Sequence, residues 1–233
     1  MIKLYTSLFF LILAFQIVTA QSFEVGLSLG VSTYNGDIHV QPQNFKTTIQ
    51  LVGGIVGKYR LSNSFLLRGQ ITAGKISASE VNDPTIWRKE RGFSFVTKLT
   101  QATGALEWSA ISIKDWSFYV YGGGGAIRFN PQISYTKPEP RIDPDIKYVV
   151  EKRFAIVPTI AAGCGLKYAM DNSFNVALEF GYWFVFSDYL DGISKVGASK
   201  RNDMYFLTGI SVTKDFYSSK TGFKTGKISC PKF

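Results

Sequence analysis

Phe23-Glu24-Val25-Gly26-Leu27-Ser28-Leu29-Gly30-Val31-Ser32 decides the fold of this chain. Its odd positions Phe23, Val25, Leu27, Leu29 and Val31 are apolar, and its even positions Glu24, Gly26, Ser28, Gly30 and Ser32 are polar or bare. Successive side chains of a strand point to opposite faces, so this period of two describes a strand from Phe23 to Tyr34 lying between two different media. The pattern recurs. Thr47 to Leu61 sets Ile49, Leu51, Ile55, Tyr59 and Leu61 against Thr48, Gln50, Lys58 and Arg60. Phe65 to Lys75 sets Phe65, Leu67 and Ile71 against Arg68, Gln70 and Thr72. Phe93 to Trp108, Trp116 to Phe129, Phe154 to Ala169, Phe174 to Phe186 and Asp203 to Phe216 complete a set of eight. The fourth changes phase near Thr103-Gly104, which predicts a β-bulge there. The fifth and eighth carry aromatics on both faces, which leaves their facing open.

The connections between these strands are unequal. Ser62 to Ser64, Ser109 to Asp115 and Met170 to Ser173 are short, whereas Asn35 to Lys46, Ile76 to Gly92, Asn130 to Arg153 and Ser187 to Asn202 are long. Short turns on one side and long loops on the other characterise outer-membrane barrels, and an even strand number returns both ends to the short-turn, periplasmic side. A soluble lipocalin-like barrel also has eight alternating strands but turns its apolar face inward. Three observations favour lipid outside. The strands are long for a small soluble barrel. Their polar face is rich in Gly, Ser and Thr, as a filled lumen would be. Aromatics bracket the strands, as Phe23 with Tyr34, Tyr59 with Phe65, Phe154 with Tyr168 and Phe174 with Phe186, resembling interfacial girdles. The expected fold is all-β, an eight-stranded antiparallel transmembrane β-barrel with short periplasmic turns and long extracellular loops. Glu24, Glu107 and Glu179 are expected to face the lumen and pair there with Lys58, Arg60, Arg68, Lys98 and Lys167, filling an interior just wide enough for side chains. A conducting pore is not expected.

The ends of the chain frame this barrel. Lys3, the apolar run Leu4 to Val18, and Val18-Thr19-Ala20 form the pattern of a secretory signal peptide, expected to be cut after Ala20. A retained membrane helix is the competing reading, but the run is short for a span of about 20 residues. There is no Cys at the cut, so a lipoprotein anchor is not expected. Residues 1–20 are thus assigned to the signal, 21–216 to the barrel and 217–233 to a periplasmic tail. Only 18% of residues are charged while 15% are aromatic, an imbalance that fits lipid contact better than a solvated surface. The net charge of +9 is scattered, with small clusters at Trp87 to Arg91 and Lys195 to Arg201. These read as solvated loops, or as basic loops facing lipid phosphates. A nucleic-acid patch would be denser.

Candidate chemistry is sparse. His39, the only histidine, stands near Asp37 without a Ser or second acid at a telling spacing, so no catalytic role is expected. Gly122 to Gly125 lacks the Lys-Ser/Thr ending of a phosphate loop and reads as small residues within a strand. Asp188 and Asp191 lack the twelve-residue calcium pattern ending in Glu and read as a turn. Pro138, Pro140 and Pro144 mark an extended surface loop. No enzyme activity, cofactor or metal is implied. Of the two cysteines, Cys164 shares its strand's apolar face with Ile156, Ile160, Leu166 and Tyr168 and is expected in lipid, while Cys230 falls in the periplasmic tail. So placed, they are too far apart to bond. Cys230 is then a thiol free to bridge to another chain, or one left free or capped. The tail from Tyr217 is basic and rich in Ser and Gly, ends in Ser229-Cys230-Pro231-Lys232-Phe233, and is of a composition that orders on a partner or trails unstructured.

Glu24-Val25-Gly26 through Gly30, with Tyr34-Asn35-Gly36-Asp37-Ile38, resembles the opening of the Bacteroidetes outer-membrane β-barrels typified by PorG of the type IX secretion system. Phe186-Ser187-Asp188-Tyr189-Leu190-Asp191-Gly192-Ile193-Ser194 resembles the same family at the end of the seventh strand. Tyr34, Gly36, Asp37, Asp188, Tyr189 and Asp191 carry the motif, and Gly192 stands where a second acid is expected. The resemblance implies protein secretion, and in some members gliding motility. It implies partnership with a periplasmic ring built from the lipoprotein PorK with PorN, in addition to outer-membrane lipids. Cys230, Pro231, Lys232 and Phe233 are then the expected contacts, with Cys230 as a covalent tie, while the Tyr34–Asp37 and Ser187–Ser194 segments stabilise the extracellular rim. The alternative is an adhesion or envelope-integrity barrel working through its long loops, and a barrel enzyme stands third.

Overall fold

β1 finds a partner on both sides, and that closes the sheet. The computed structural model describes residues 22–35, 48–81, 86, 89, 92–135, 149–150, 155–170, 173–194 and 202–216. The strands are β1 (Phe23–Asn35), β2 (Gln50–Arg60), β3 (Phe65–Ser79), β4 (Phe93–Ile113), β5 (Trp116–Tyr135), β6 (Val149–Val150), β7 (Ala155–Ala169), β8 (Phe174–Val185), β9 (Ile193–Ser194) and β10 (Met204–Asp215). β1 pairs with β2 from Phe23↔Tyr59 to Ser32↔Gln50 and with β10 from Glu24↔Asp215 to Asn35↔Met204. The barrel order is β1-β10-β8-β7-β5-β4-β3-β2, all antiparallel, and closure leaves no strand edge unpaired. β6 and β9 pair with each other outside the barrel and tie two long loops together.

The outer face below the long loops is a belt of exposed large apolar side chains. Leu27, Leu29, Leu51, Ile55, Ile71, Ile156 and Ile210 are each more than half exposed. A contiguous surface of this kind is stable only against lipid. At the short-turn end every barrel strand or its flank turns an aromatic outward: Phe23, Tyr59, Phe65, Trp108, Trp116, Tyr168, Phe174 and Phe216. This ring fixes the lower interface, where rings with an apolar body and polar edge settle. From Phe65 to Lys75 on β3, or from Trp108 to Lys98 on β4, about ten residues climb roughly 25 Å at the usual strand tilt, the height of a hydrocarbon core.

Several expectations are corrected. Tyr34 is not part of a girdle; it points inward and is 1% exposed. No bulge interrupts β4 at Thr103-Gly104: pairing with β3 and β5 runs unbroken through both residues, and the one irregularity lies between Ser109 and Ile111. The short connection expected over Ser109 to Asp115 shrinks to a turn at Lys114 and Asp115, because β4 and β5 continue to Ile113 and from Trp116. Lys98 faces outward, since even positions of β4 do so throughout. The open facing of the fifth and eighth strands resolves with odd positions inward: Tyr119, Tyr121, Ile127 and Phe129 on β5, and Tyr205, Leu207, Ser211 and Thr213 on β10. Cys164 lies on the outward face of β7, partly exposed, as expected. Residues 1–20, Gly36, Asp37, His39, Phe154, the three loop prolines and the tail with Cys230, Pro231, Lys232 and Phe233 lie outside the described residues.

Candidate functional site

The lumen holds two storeys of opposite chemistry. The lower one is ionic. Arg68 on β3 donates both terminal nitrogens to Glu179 on β8, Nη1 to Oε1 and Nη2 to Oε2 at 2.7 Å each, and Nη2 also donates to Gln70 Oε1 at 2.7 Å. Lys58 Nζ lies 2.8 Å from Glu107 Oε2 and 3.9 Å from Glu179 Oε1. Tyr119 donates to Glu179 Oε1 at 2.5 Å and Ser211 Oγ to the same oxygen at 3.2 Å. Two cations therefore face two anions, with Lys58 over the ring of Tyr119 and Arg68 over that of Tyr121. Nearer the periplasmic mouth Glu24 gathers Arg60 at 3.6 Å, Lys167 at 3.7 Å and the Thr213 hydroxyl at 3.1 Å. The predicted partnership of Glu24, Glu107 and Glu179 with Lys58, Arg60, Arg68 and Lys167 is therefore what the lumen contains. Buried charges are tolerable only in such closed sets.

Glycine makes room for this storey. Tyr119 is opposite Gly165 and Tyr121 opposite Gly163 in the β5–β7 register. A Cβ at Gly165 would run into the Tyr119 ring, one at Gly163 into Tyr121, and one at Gly181 into Trp183 and Tyr121. The lumenal glycines of β7 and β8 are thus the sockets of the aromatic rings on β5 and β8. A cavity of about 30 Å³ beside Gln70, Thr72, Tyr121 and Trp183 has room for a water or two. No side chain there offers a nucleophile with a base beside it.

The upper storey is apolar. Tyr34, Ile76, Phe93, Phe95, Leu99, Ile127, Phe129, Trp183, Val185, Leu190 and Tyr205 form one buried cluster. Tyr34 meets Phe95 edge-on at 4.9 Å and Trp183 stacks on Tyr205 at 5.8 Å. Leu190 comes not from a strand but from the loop after β8, which folds down into the mouth. The Tyr34 hydroxyl lies 2.5 Å from Asp203 Oδ1 and 3.1 Å from Asp191 Oδ2, all three residues buried. Asp203 Oδ2 accepts from the Leu190 amide at 2.9 Å, and Thr97 Oγ1 donates to the Leu190 carbonyl at 2.7 Å. Ser187 Oγ accepts from the Tyr189 amide at 3.2 Å, and Tyr189 packs against the cluster.

Tyr34, Tyr189 and Asp191 are thus brought together as a clasp that seats residues 187–192 in the outer mouth, with Asp188 between them in sequence. The rim-stabilising role expected of this segment has a geometric basis. Asp203 and Thr97 belong to the clasp but were not singled out in the sequence, because nothing in their local pattern distinguishes them; only the fold brings β4 and β10 to the same loop. The acid expected at position 192 has no room. Gly192 has φ +80°, a left-handed conformation that L side chains rarely adopt, and a Cβ there would lie 2.7 Å from Ile133 and 2.9 Å from Pro131. Among the described residues no group of three or more His, Cys, Asp or Glu is placed to hold a metal.

The chain belongs to the family described as a domain of unknown function (DUF6089), whose model matches residues 2–223 and stops short of Cys230 to Phe233. No curated protein matches it. Among solved structures it is similar to Neisserial surface protein A, with a TM-score of 0.52 at 10% identity over 83% of this chain and 97% of that one. A major outer membrane protein from Thermus thermophilus gives 0.46 at 11% identity, covering 84% and 100%. The N-terminal β-barrel domain of Pseudomonas aeruginosa OprF gives 0.43 at 14%, covering 84% and 97%. The first likeness establishes the fold, that of an outer-membrane β-barrel.

Proposed function

We propose that this member of the DUF6089 family is an outer-membrane mount for a periplasmic assembly, the ring of a type IX secretion system, as its resemblance to the PorG-type barrels implies. The observation that carries the reading is where the barrel lets the chain go. β10 ends beside the start of β1, with the Phe216 amide donating to the Phe23 carbonyl at 2.9 Å, at the aromatic girdle on the short-turn side. Whatever follows Phe216 therefore starts at the periplasmic face. The interior is packed with paired charges and aromatic rings, so the barrel has no lumen to offer a substrate. A membrane anchor with a tail on the inner side is the economical use of such a body.

In this reading Cys230, Pro231, Lys232 and Phe233 contact the ring, and Cys230 forms a disulfide with a PorK-like lipoprotein that is joined by a PorN-like protein. Non-reducing and reducing gels of whole envelopes test the covalent part. A higher band that disappears on reduction and in Cys230→Ala is expected; its absence in the native chain removes the covalent tie. Truncation after Phe216 should abolish secretion while the barrel stays heat-modifiable, and unchanged secretion would sink the mount altogether. A second reading, adhesion or envelope integrity through the long loops, is favoured by the clasped loop at the outer mouth. Loop deletion would then cost function where tail truncation does not.

A further inference from the structure

Among the described residues, all charged side chains that the barrel strands turn outward are cations. Lys214 sits at the lower girdle, its ammonium over Phe174 and Phe216 at 5.5 and 5.7 Å. Lys75, Lys98 and Arg128 stand together at the other edge of the apolar belt, exposed on the adjacent strands β3, β4 and β5. Lys75 is directly opposite Lys98 in the register. Arg128 is opposite Thr100, one outward position below Lys98. Like charges placed directly across a strand pair, with Cβ atoms about 5 Å apart, repel. Every Glu of the strands faces inward, and neither lysine has a carboxylate partner among the described residues.

A second feature lies directly beneath. Gly69 pairs with Gly104, Gly104 with Gly124, and Ala102 with Ala126, all on the outward face. A Cβ added at Gly69, Gly104 or Gly122 would meet nothing within 4 Å. The belt is therefore scooped into a shallow trough on β3–β5, flanked by Ile71 and Ile160 and floored at the lower girdle by Trp108 and Trp116. Elsewhere at the cations' height the surface is aromatic, with Phe184 and Phe206 on β8 and β10.

We propose that this face is a binding site for a phosphate-bearing lipid of the outer leaflet, its phosphate held between Lys75 and Lys98 and beside Arg128, its acyl chains lying in the glycine trough. A phosphate between the two ammonium groups turns their mutual repulsion into two attractions. The cations sit at headgroup depth, and only an amphiphile spans both features. Free phosphate would use the cations alone.

The test uses the full chain in phosphatidylcholine nanodiscs containing bisphosphorylated lipid A, with native mass spectrometry reading the lipid A retained. One molecule held per barrel is expected. Lys75→Gln with Lys98→Gln should weaken retention about thirtyfold, as two cations lost from an anionic interface imply. Lys214→Gln should leave it unchanged. Gly104→Leu, which fills the trough without touching a neighbour, should weaken it too. Lys75→Glu carries a signature that misfolding cannot mimic: it should raise the unfolding temperature in phosphatidylcholine alone, by pairing with Lys98, and abolish the further rise that lipid A gives the native chain. Equal retention by the double variant, or full displacement by millimolar inorganic phosphate, would overturn the proposal.

Discussion

The lower and upper halves of the barrel wall are built on one backbone pattern and are chemically inverted. Low on β4, Leu106 and Trp108 point out while Glu107 points in; high on the same strand, Lys98 and Thr100 point out while Phe95 and Leu99 point in. β5 repeats this, with Trp116 and Phe118 outward below, then Arg128 and Asn130 outward and Ile127 and Phe129 inward above. The side-chain parity never changes; the surroundings do. Below, lipid lies outside and the lumen must hold the polar groups. Above, the wall leaves the hydrocarbon, and the lumen, capped by Leu190, becomes the dry side. The lower storey is thus held by charge pairing and the upper by apolar packing, and the two should fail differently.

The sharpest way to break the contrast is to unbalance the ionic storey. Arg68→Met leaves Glu179 and Glu107 facing only Lys58, and an uncompensated buried charge costs about 3–5 kcal/mol. Urea unfolding in vesicles should show that loss, and adding Glu179→Gln should recover part of it. A loss below about 1 kcal/mol would mean water screens this lumen as it screens an open channel. Next comes Gly165→Val, which drives a branched side chain into the Tyr119 ring and should cost about 1–3 kcal/mol through overpacking. Tyr119→Ala in the same chain should relieve the clash, and failure to do so would locate the strain elsewhere. The smallest effect is expected at the top. Tyr34→Phe withdraws one hydroxyl from two buried carboxylates at a cost of about 1–2 kcal/mol. Hydrogen exchange should then quicken at the Leu190 amide while the strands below keep their protection; uniform quickening would show that the clasp and barrel open as one.

These elements also mark where the sequence could be read and where it could not. The lower barrel was legible because two media, lipid and a polar lumen, impose a strict alternation, and because Glu, Lys and Arg inside an apolar strand have only each other to pair with. Above the membrane the same cue misleads. Phe93, Phe95 and Leu99 occupy odd positions and Ala102, Leu106 and Trp108 even ones, which reads as a change of register when it is a change of environment. Tyr34 was recognised as part of a motif and mistaken for a girdle residue, because a local pattern cannot tell an interfacial ring from one sealed under a loop.

What the sequence determined by itself was the eight-fold alternation, the short and long connections and the ionic inventory of the lumen, since each is a property of neighbours along one strand. What only the tertiary structure decided was which face is dry at each height, that Asp191, Asp203, Thr97 and Tyr34 meet at one loop, and that Lys75 stands opposite Lys98 above a row of glycines. Those are relations between strands, set by barrel closure and register, and no periodicity within a single strand encodes them.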